Sequence, residues 1–232
     1  MKTKTIAIGT GLLLVAIMVS GQTNIISSAS DMINFINTDL DYIKNKDERY
    51  SKIEGTPYLD EAFHTGTISY KKKKYTGLEL RFNPYEDYFE FKTEQGIKFL
   101  DPRVTRVDTV WLEGETFLYV HYMLGKSRKQ TFMKAIHTGP TRVLLHNQVL
   151  LVQAEEATGY EAFKPARFEK LAESIYIQEE GKPALEFRGK KSLEEIFPEH
   201  HSQLAKFAKS EKLKLKKTED VVRLCEYFDG LQ

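Results

Sequence analysis

From residue 67 to residue 154 the apolar side chains recur with a period of two, and this alternation limits the folds open to the chain. Leu78, Leu80 and Phe82 alternate with charged residues, and Phe89 and Phe91 do so a few positions later. Successive side chains of a β-strand point to opposite faces, so the alternation predicts strands with one buried face. Turn residues separate the runs about every 8–12 positions, which is typical of an antiparallel meander. We expect about eight or more strands, forming an open barrel or a sandwich.

After residue 189 the pattern becomes helical. Ser192 and Glu195 have the spacing of a capping box, in which each side chain satisfies a free backbone N–H at the start of a helix. A second helix is predicted to begin near Pro198, and a last helix near Thr218 with Cys225 on its apolar face. The fold class is therefore mainly β with α (α+β), with a C-terminal helical appendage.

The same patterns divide the chain into four parts. We predict a signal peptide at 1–21, an N-terminal lead-in with a short helix at 22–66, an antiparallel β domain at 67–188 and a helical segment at 189–232. A helical segment of this size is too small to keep a core of its own. We therefore expect it to be packed on the sheet.

The N-terminus predicts export. Lys2 and Lys4 precede an apolar stretch at residues 6–19, and small residues then lead to a predicted cleavage near Gly21-Gln22. The stretch is shorter than the roughly 20 residues of a membrane-spanning helix, although an uncleaved anchor is the alternative interpretation. No long apolar stretch follows, so no transmembrane segment is expected in the mature chain. Gln22 stands where a lipoprotein needs cysteine, which disfavours lipid attachment.

Cysteine content and charge narrow the setting further. Cys225 is the only cysteine, so no intramolecular disulfide can form, and an exported chain without disulfides suits a bacterial periplasm or cell surface. The chain carries 34 basic and 33 acidic residues, a formal net charge of +1. A nucleic-acid-binding domain is usually strongly basic, so we expect no nucleic-acid partner.

The segment LRFNPYEDYFEF, residues 80–91, combines aromatic, acidic and turn residues. Because proline favours extended geometry in the residue before it, Asn83-Pro84 predicts a hairpin corner with Glu86 and Asp87 as turn acids. Arg81, Tyr85 and Tyr88 fall off the alternating core face and form the candidate binding surface. Tyr119 and Tyr122 are further aromatic positions that we expect to be exposed.

The sequence carries no recognisable catalytic or metal-binding motif. None of the six histidines has metal-site spacing, and His200 and His201 are adjacent rather than one helical turn apart. His137 and His146 flank a turn and could face each other across a hairpin, but no carboxylate or third ligand lies nearby in the sequence to complete a metal site. We therefore predict no catalytic residues, no cofactor and no metal, and we favour a protein that is not an enzyme.

Several motifs together resemble one group of proteins. They are GTPYLDEAF, TGTI, YTGLELRFNPYEDYFEFK, KPARFEKL, IYIQ, KKSLEEIFPEH and FAKSEKLKLKKTEDVVRLCEYFDGL. These segments, spread over most of the mature chain, resemble exported proteins of Bacteroidota-type bacteria. The group has no established activity, so the resemblance implies a periplasmic or surface location and no mechanism.

Three functional hypotheses follow. The leading one is a soluble envelope protein acting as a non-catalytic binding or accessory module, whose partner is an unknown envelope protein or glycan. The second is a hydrolase on a β scaffold, which requires a concave polar pocket where at least two ionisable side chains converge. The third is a barrel-like carrier of a small apolar ligand.

Overall fold

The computed structural model describes residues 25–26, 50–70, 73–94, 96–100, 102, 107–160 and 162–232. The predicted signal peptide and the predicted helix of the lead-in lie outside the described residues. The strands are β1 (Ile25–Ile26), β2 (His64–Tyr70), β3 (Lys73–Asn83), β4 (Tyr88–Thr93), β5 (Gly96–Leu100), β6 (Val107–Leu112), β7 (Glu115–Leu124), β8 (Ser127–Thr138), β9 (Thr141–His146), β10 (Val149–Val152), β11 (Arg167–Lys170), β12 (Ser174–Glu179) and β13 (Leu185–Glu186).

Four short helical elements follow the strands. They are a 3₁₀ helix (Gly189–Ser192), α1 (Leu193–Ile196), α2 (His201–Ser210) and α3 (Thr218–Asp229). The predicted capping box is wrong, because the Ser192 hydroxyl accepts a hydrogen bond from the Arg188 backbone instead of capping α1. Among the described residues, no helix combines the length and apolar character needed to span a membrane.

One open antiparallel sheet dominates the molecule, in the order β13-β12-β9-β8-β7-β6-β2-β3-β4-β5. β1 adds to the edge of β3 in parallel, and β10 and β11 form a separate two-stranded sheet. The predicted α+β fold with an antiparallel meander and C-terminal helices is confirmed, and the sheet does not close on itself. Just before β13, the backbone of Ala184 exchanges two hydrogen bonds with β7, which folds this end of the sheet back on itself.

The predicted hairpin corner around Pro84 is confirmed by the strand register. Leu80 lies opposite Phe91, and Phe82 lies opposite Phe89. The rings of Phe82 and Phe89 stack, with centroids 4.7 Å apart. Phe117 and Phe132 pack around them from β7 and β8. Alternation along β3 and β4 therefore places these rings in one core, which we call the aromatic core.

The helices cover another part of the sheet. Val143 of β9 and Ile177 of β12 are buried against α2 and α3, whose inward residues include Leu204, Leu224 and Phe228. This second core, the helical core, contains Cys225 as predicted. Because the apolar stripes of these short helices are narrow, their burial depends on the sheet beneath them.

Candidate functional site

A cleft of about 330 Å³ opens where the segment before β2 meets β3, β6 and β7. Its floor is apolar, and most of the side chains around its mouth are charged or polar. The lining residues are Leu59, Phe82, Leu112 and Phe117, together with Asp60, Ala62, His64, Arg81, Glu113 and Glu115. Small-molecule sites usually occupy about 300–1,000 Å³ and combine an apolar lining with a few polar groups. This cleft has both properties.

Three ionisable side chains meet at the mouth of the cleft. The Nδ1 atom of His64 lies 2.8 Å from Glu113 Oε1, and its Nε2 atom lies 3.2 Å from Asp60 Oδ2. A doubly protonated imidazole can donate a hydrogen bond to each of the two carboxylates. A neutral imidazole donates to one of them, and the lone pair on its other nitrogen is then available to bind a metal ion.

Local backbone geometry fixes the two carboxylates. Asp60 Oδ1 accepts a hydrogen bond of 2.9 Å from the Ala62 backbone N–H. This bond, followed by the contact with His64, holds the pKa of Asp60 below its ordinary value. Glu113 begins the two-residue turn between β6 and β7 with φ +51°, and Gly114 follows with φ +80°. Positive φ at both positions is the type I′ geometry that matches the twist of a hairpin.

Sheet order brings the turn to the histidine. His64 is the first residue of β2, and β2 pairs with β6 so that Gly66 lies opposite Leu112. The turn that follows Leu112 therefore projects beside His64. Gly66 permits this close pairing, because a Cβ there would lie 2.7 Å from the Trp111 carbonyl oxygen.

The three side chains can act together as metal ligands. One atom from each of Asp60, His64 and Glu113 lies within 4.8 Å of the other two. Metal bonds to histidine nitrogen and carboxylate oxygen are about 2.0–2.2 Å long, so two ligand atoms of a tetrahedral site lie about 3.3 Å apart. The 3.2 Å between His64 Nε2 and Asp60 Oδ2 is close to that separation, whereas Glu113 faces the other ring nitrogen, Nδ1. A side-chain rotation of His64 or Glu113 is therefore needed to bring all three ligands to one ion. A mixed nitrogen and oxygen set suits Zn²⁺ or another divalent first-row metal.

Arg81 lines the cleft but its charge is already engaged. Its Nη2 atom lies 2.7 Å from Glu90 Oε2, and Nη2 also donates to the Tyr58 hydroxyl at 2.9 Å. The guanidinium lies over the rings of Tyr58 and Phe63. Arg81 is 8% exposed and Glu90 is 1% exposed. Arg81 forms part of one wall of the cleft, and its contacts with Tyr58 and Phe63 hold the segment before β2 against β3.

The structure separates the three residues of the predicted binding surface. Tyr85 is half-buried with its ring against Phe168, whereas Tyr88 is buried and packs on Phe99. The expected exposure of Tyr88 and Tyr122 is wrong, because both are buried. Near Arg81 the segment before β2 covers the second face of the hairpin, as in the hydrogen bond from Leu59 N to the Phe82 carbonyl. The alternation of residues along a strand does not show that another segment of the chain covers its second face.

The histidines and the cysteine that the sequence analysis singled out lie outside the cleft. His137 lies opposite Val143, whereas His146 lies opposite Ser174, so the two histidines do not face each other across the hairpin. His200 packs on Phe228, and the His201 ring contacts the Pro198 carbonyl. Burial raises the pKa of the Cys225 thiol, which makes its reactive thiolate scarce.

Sequence motifs did not reveal the three residues at the cleft. Asp60 lies in the irregular segment before β2 and His64 begins β2 four residues later, so helical metal-site spacing does not apply. Glu113 is brought to them only by the pairing of β2 with β6. A Glu-Gly turn at the end of a strand was the one local signal.

Comparison with known proteins found no relative of this chain, so a functional conclusion rests on the cleft. No protein-family model matches the chain, and no curated protein or solved structure shows significant similarity to it.

Proposed function

We propose that the protein is a non-catalytic binding module of the bacterial envelope and that it binds a divalent metal ion at Asp60, His64 and Glu113. The observation that carries the proposal is the convergence of one nitrogen and two carboxylate oxygens within 4.8 Å at the mouth of the cleft. The basic n-region and apolar stretch of residues 1–21, and the resemblance to exported Bacteroidota-type proteins, support the envelope location.

Electrostatics at the mouth favour a cation. Asp60 and Glu113 are acidic residues at the mouth, whereas Glu115 is paired with Lys134 and Arg81 with Glu90. The Asp60 side chain is 60% exposed and that of Glu113 is 56% exposed, so both remain accessible from solvent. An ion that is held by three protein ligands keeps further coordination positions for water or for a group of a partner. The cleft floor would then accept the apolar part of that partner.

Isothermal titration of the purified chain with ZnCl₂ at neutral pH tests the metal site. We expect one ion per chain, and we expect His64→Gln to weaken binding by about tenfold or more because it removes the nitrogen ligand. His121→Asn is the matched control, since His121 is exposed on β7 and contacts Gln130. Equal affinity in the wild type and His64→Gln would refute the site.

The envelope location has a separate test. Expression with the native N-terminus in a Bacteroidota host, followed by fractionation and N-terminal sequencing, should give a soluble envelope protein that begins at Gln22. Retention of residues 1–21 on the mature protein would contradict the proposed export.

Hydrolysis is a second candidate function, favoured by the same convergence of ionisable groups in a concave pocket. A bound metal ion can lower the pKa of its water and supply a nucleophile. The test is a panel of chromogenic phosphate, ester and glycoside substrates, assayed with Zn²⁺ on the wild type and His64→Gln. Turnover that disappears in His64→Gln would establish the enzyme, and its absence at full zinc occupancy would favour the binding module.

A further inference from the structure

A second concave surface lies on the C-terminal helical segment and shares no lining residue with the cleft. It is a groove of about 450 Å³, which we call the basic groove. Its floor is formed by Ala205, Ala208, Leu213 and Leu215. Five cationic residues form its rim: Arg188, Lys190, Lys191, Lys209 and Lys216. The groove therefore combines an apolar floor with a cationic rim.

The end of α2 builds one wall. Lys212 takes φ +54°, and the Leu213 N–H donates to the Ala208 carbonyl at 2.9 Å, a left-handed ending that stops the helix. In the linker between α2 and α3, residues 211–217, half-buried and exposed residues then alternate from residue 213 to residue 216. Leu213 and Leu215 are half-buried, whereas Lys216 is exposed. The linker therefore places its two leucines on the floor and Lys216 on the rim.

The 3₁₀ helix builds the opposite wall. Gly189 adopts φ +77°, and a Cβ built on it would lie 3.9 Å from the Leu215 Cβ, so the two walls approach closely at this point. Lys190 and Lys191 follow directly and are exposed. Glycine is the residue that accepts this backbone conformation without strain.

The charges of the rim are largely uncompensated. Arg188 pairs with Glu186 at 2.6 Å. Lys190, Lys191, Lys209 and Lys216 form no ion pair with any residue that the structure describes, and no described acidic residue lines the groove. Four lysines on two facing walls repel one another, and an anion placed between them relieves that repulsion.

We infer that the basic groove binds a fatty carboxylate as a single molecule, with its hydrocarbon chain on the apolar floor and its carboxylate among the lysines. The charge of the rim selects an anion, and the floor selects an anion that carries hydrocarbon. The floor residues lie below the exposed lysines, so a planar membrane would meet the rim before the floor. A single chain can enter where a bilayer surface cannot.

A fluorescent fatty acid, dansylamino-undecanoic acid, reports on the groove in the full mature chain. We expect its emission to rise on binding and dodecanoate to displace it. Hexanoate has the charge without the chain, and dodecyl maltoside below its micellar concentration has the chain without the charge. Both should displace it poorly.

Variants locate the binding. Lys190→Gln combined with Lys191→Gln should weaken dodecanoate binding about fivefold, since each exposed ionic contact contributes little on its own. Ala205→Glu places a carboxylate on the floor and should abolish binding while circular dichroism stays unchanged. Lys126→Gln with Lys129→Gln, exposed residues at the β7–β8 turn and on β8, is the control that should leave binding intact.

Three results would overturn the inference. They are equal displacement by dodecyl maltoside, equal weakening in the Lys126 and Lys129 control, and retention of the protein on anionic phosphatidylglycerol vesicles with no competition by dodecanoate. The last would identify a membrane surface as the ligand. None of these results bears on zinc binding at Asp60, His64 and Glu113.

Discussion

At the scale of single residues, Asp87 joins two distant parts of the sheet. Its Oδ1 atom accepts hydrogen bonds from the Phe132 backbone at 3.0 Å and from the Thr131 hydroxyl at 2.7 Å, while its own backbone has φ +61°. We predict that Asp87→Ala lowers the free energy of unfolding by about 2–3 kcal/mol, because it removes the acceptor of the Phe132 N–H and of the Thr131 hydroxyl, which then has only its 3.5 Å contact with His146, and places alanine in a left-handed conformation.

Equilibrium urea unfolding measures this effect. Asp87→Asn keeps an acceptor oxygen and tolerates the left-handed backbone, so it should lose less than half as much stability. Equal losses in the two variants would show that the side-chain acceptor is not what stabilises the turn.

The buried Arg81–Glu90 pair makes a second prediction at this scale. Glu90 is 1% exposed, so Arg81→Met leaves a buried carboxylate without its cation and should lower stability by about 3–5 kcal/mol. The double variant Arg81→Met with Glu90→Met removes both charges and should recover much of that loss. Urea unfolding of both variants checks the prediction. A double variant as unstable as the single one would mean that packing, not charge compensation, dominates.

At the scale of elements, the sequence predicts hairpins between neighbouring strands but not the pairing of strands that are distant along the chain. The β3–β4 hairpin follows from alternation and Asn83-Pro84 because both signals lie within twelve residues of the sequence. The neighbours β6 and β2 are separated along the chain by β3, β4 and β5, and no local signal encodes their pairing. Asp60, His64 and Glu113 depend on that pairing, so their cluster could not be predicted. The buried Arg81 depends on a covering segment and was missed for the same reason.

Helix α3 offers a prediction of element stability. Cys225 has no exposed surface on this helix, and burial raises the pKa of its thiol. We expect Ellman's reagent to modify the native protein far more slowly than the urea-unfolded protein, because reaction requires α3 to leave the sheet. Leu224→Ala removes contacts of the helical core and should accelerate the native reaction. Rapid modification of the wild type in native buffer would contradict the burial.

At the scale of the whole molecule, the folded end of the sheet encloses a histidine. His146 is 5% exposed and its ring contacts those of Tyr122 and Tyr176 at centroid distances of 5.3 and 5.7 Å. Burial lowers the pKa of His146 to about 4, and Glu186 opposes this only in part. The molecule therefore folds around a neutral imidazole, which the unfolded chain protonates at a higher pH.

This difference predicts how the stability of the molecule depends on pH. The unfolded histidine has a pKa near 6.5, so the contribution of His146 is complete above that pH and is lost as the pH falls towards about 4. The loss should approach about 3 kcal/mol at its largest.

His146→Phe keeps an aromatic ring between the two tyrosines but cannot take up a proton. Urea unfolding of both proteins between about pH 4 and about pH 7.5 should show the stability of the wild type falling relative to that of His146→Phe as the solution is acidified. His121→Asn, which alters an exposed histidine, should follow the wild type, and a difference between the wild type and His146→Phe that stayed constant with pH would exclude His146 as the titrating group.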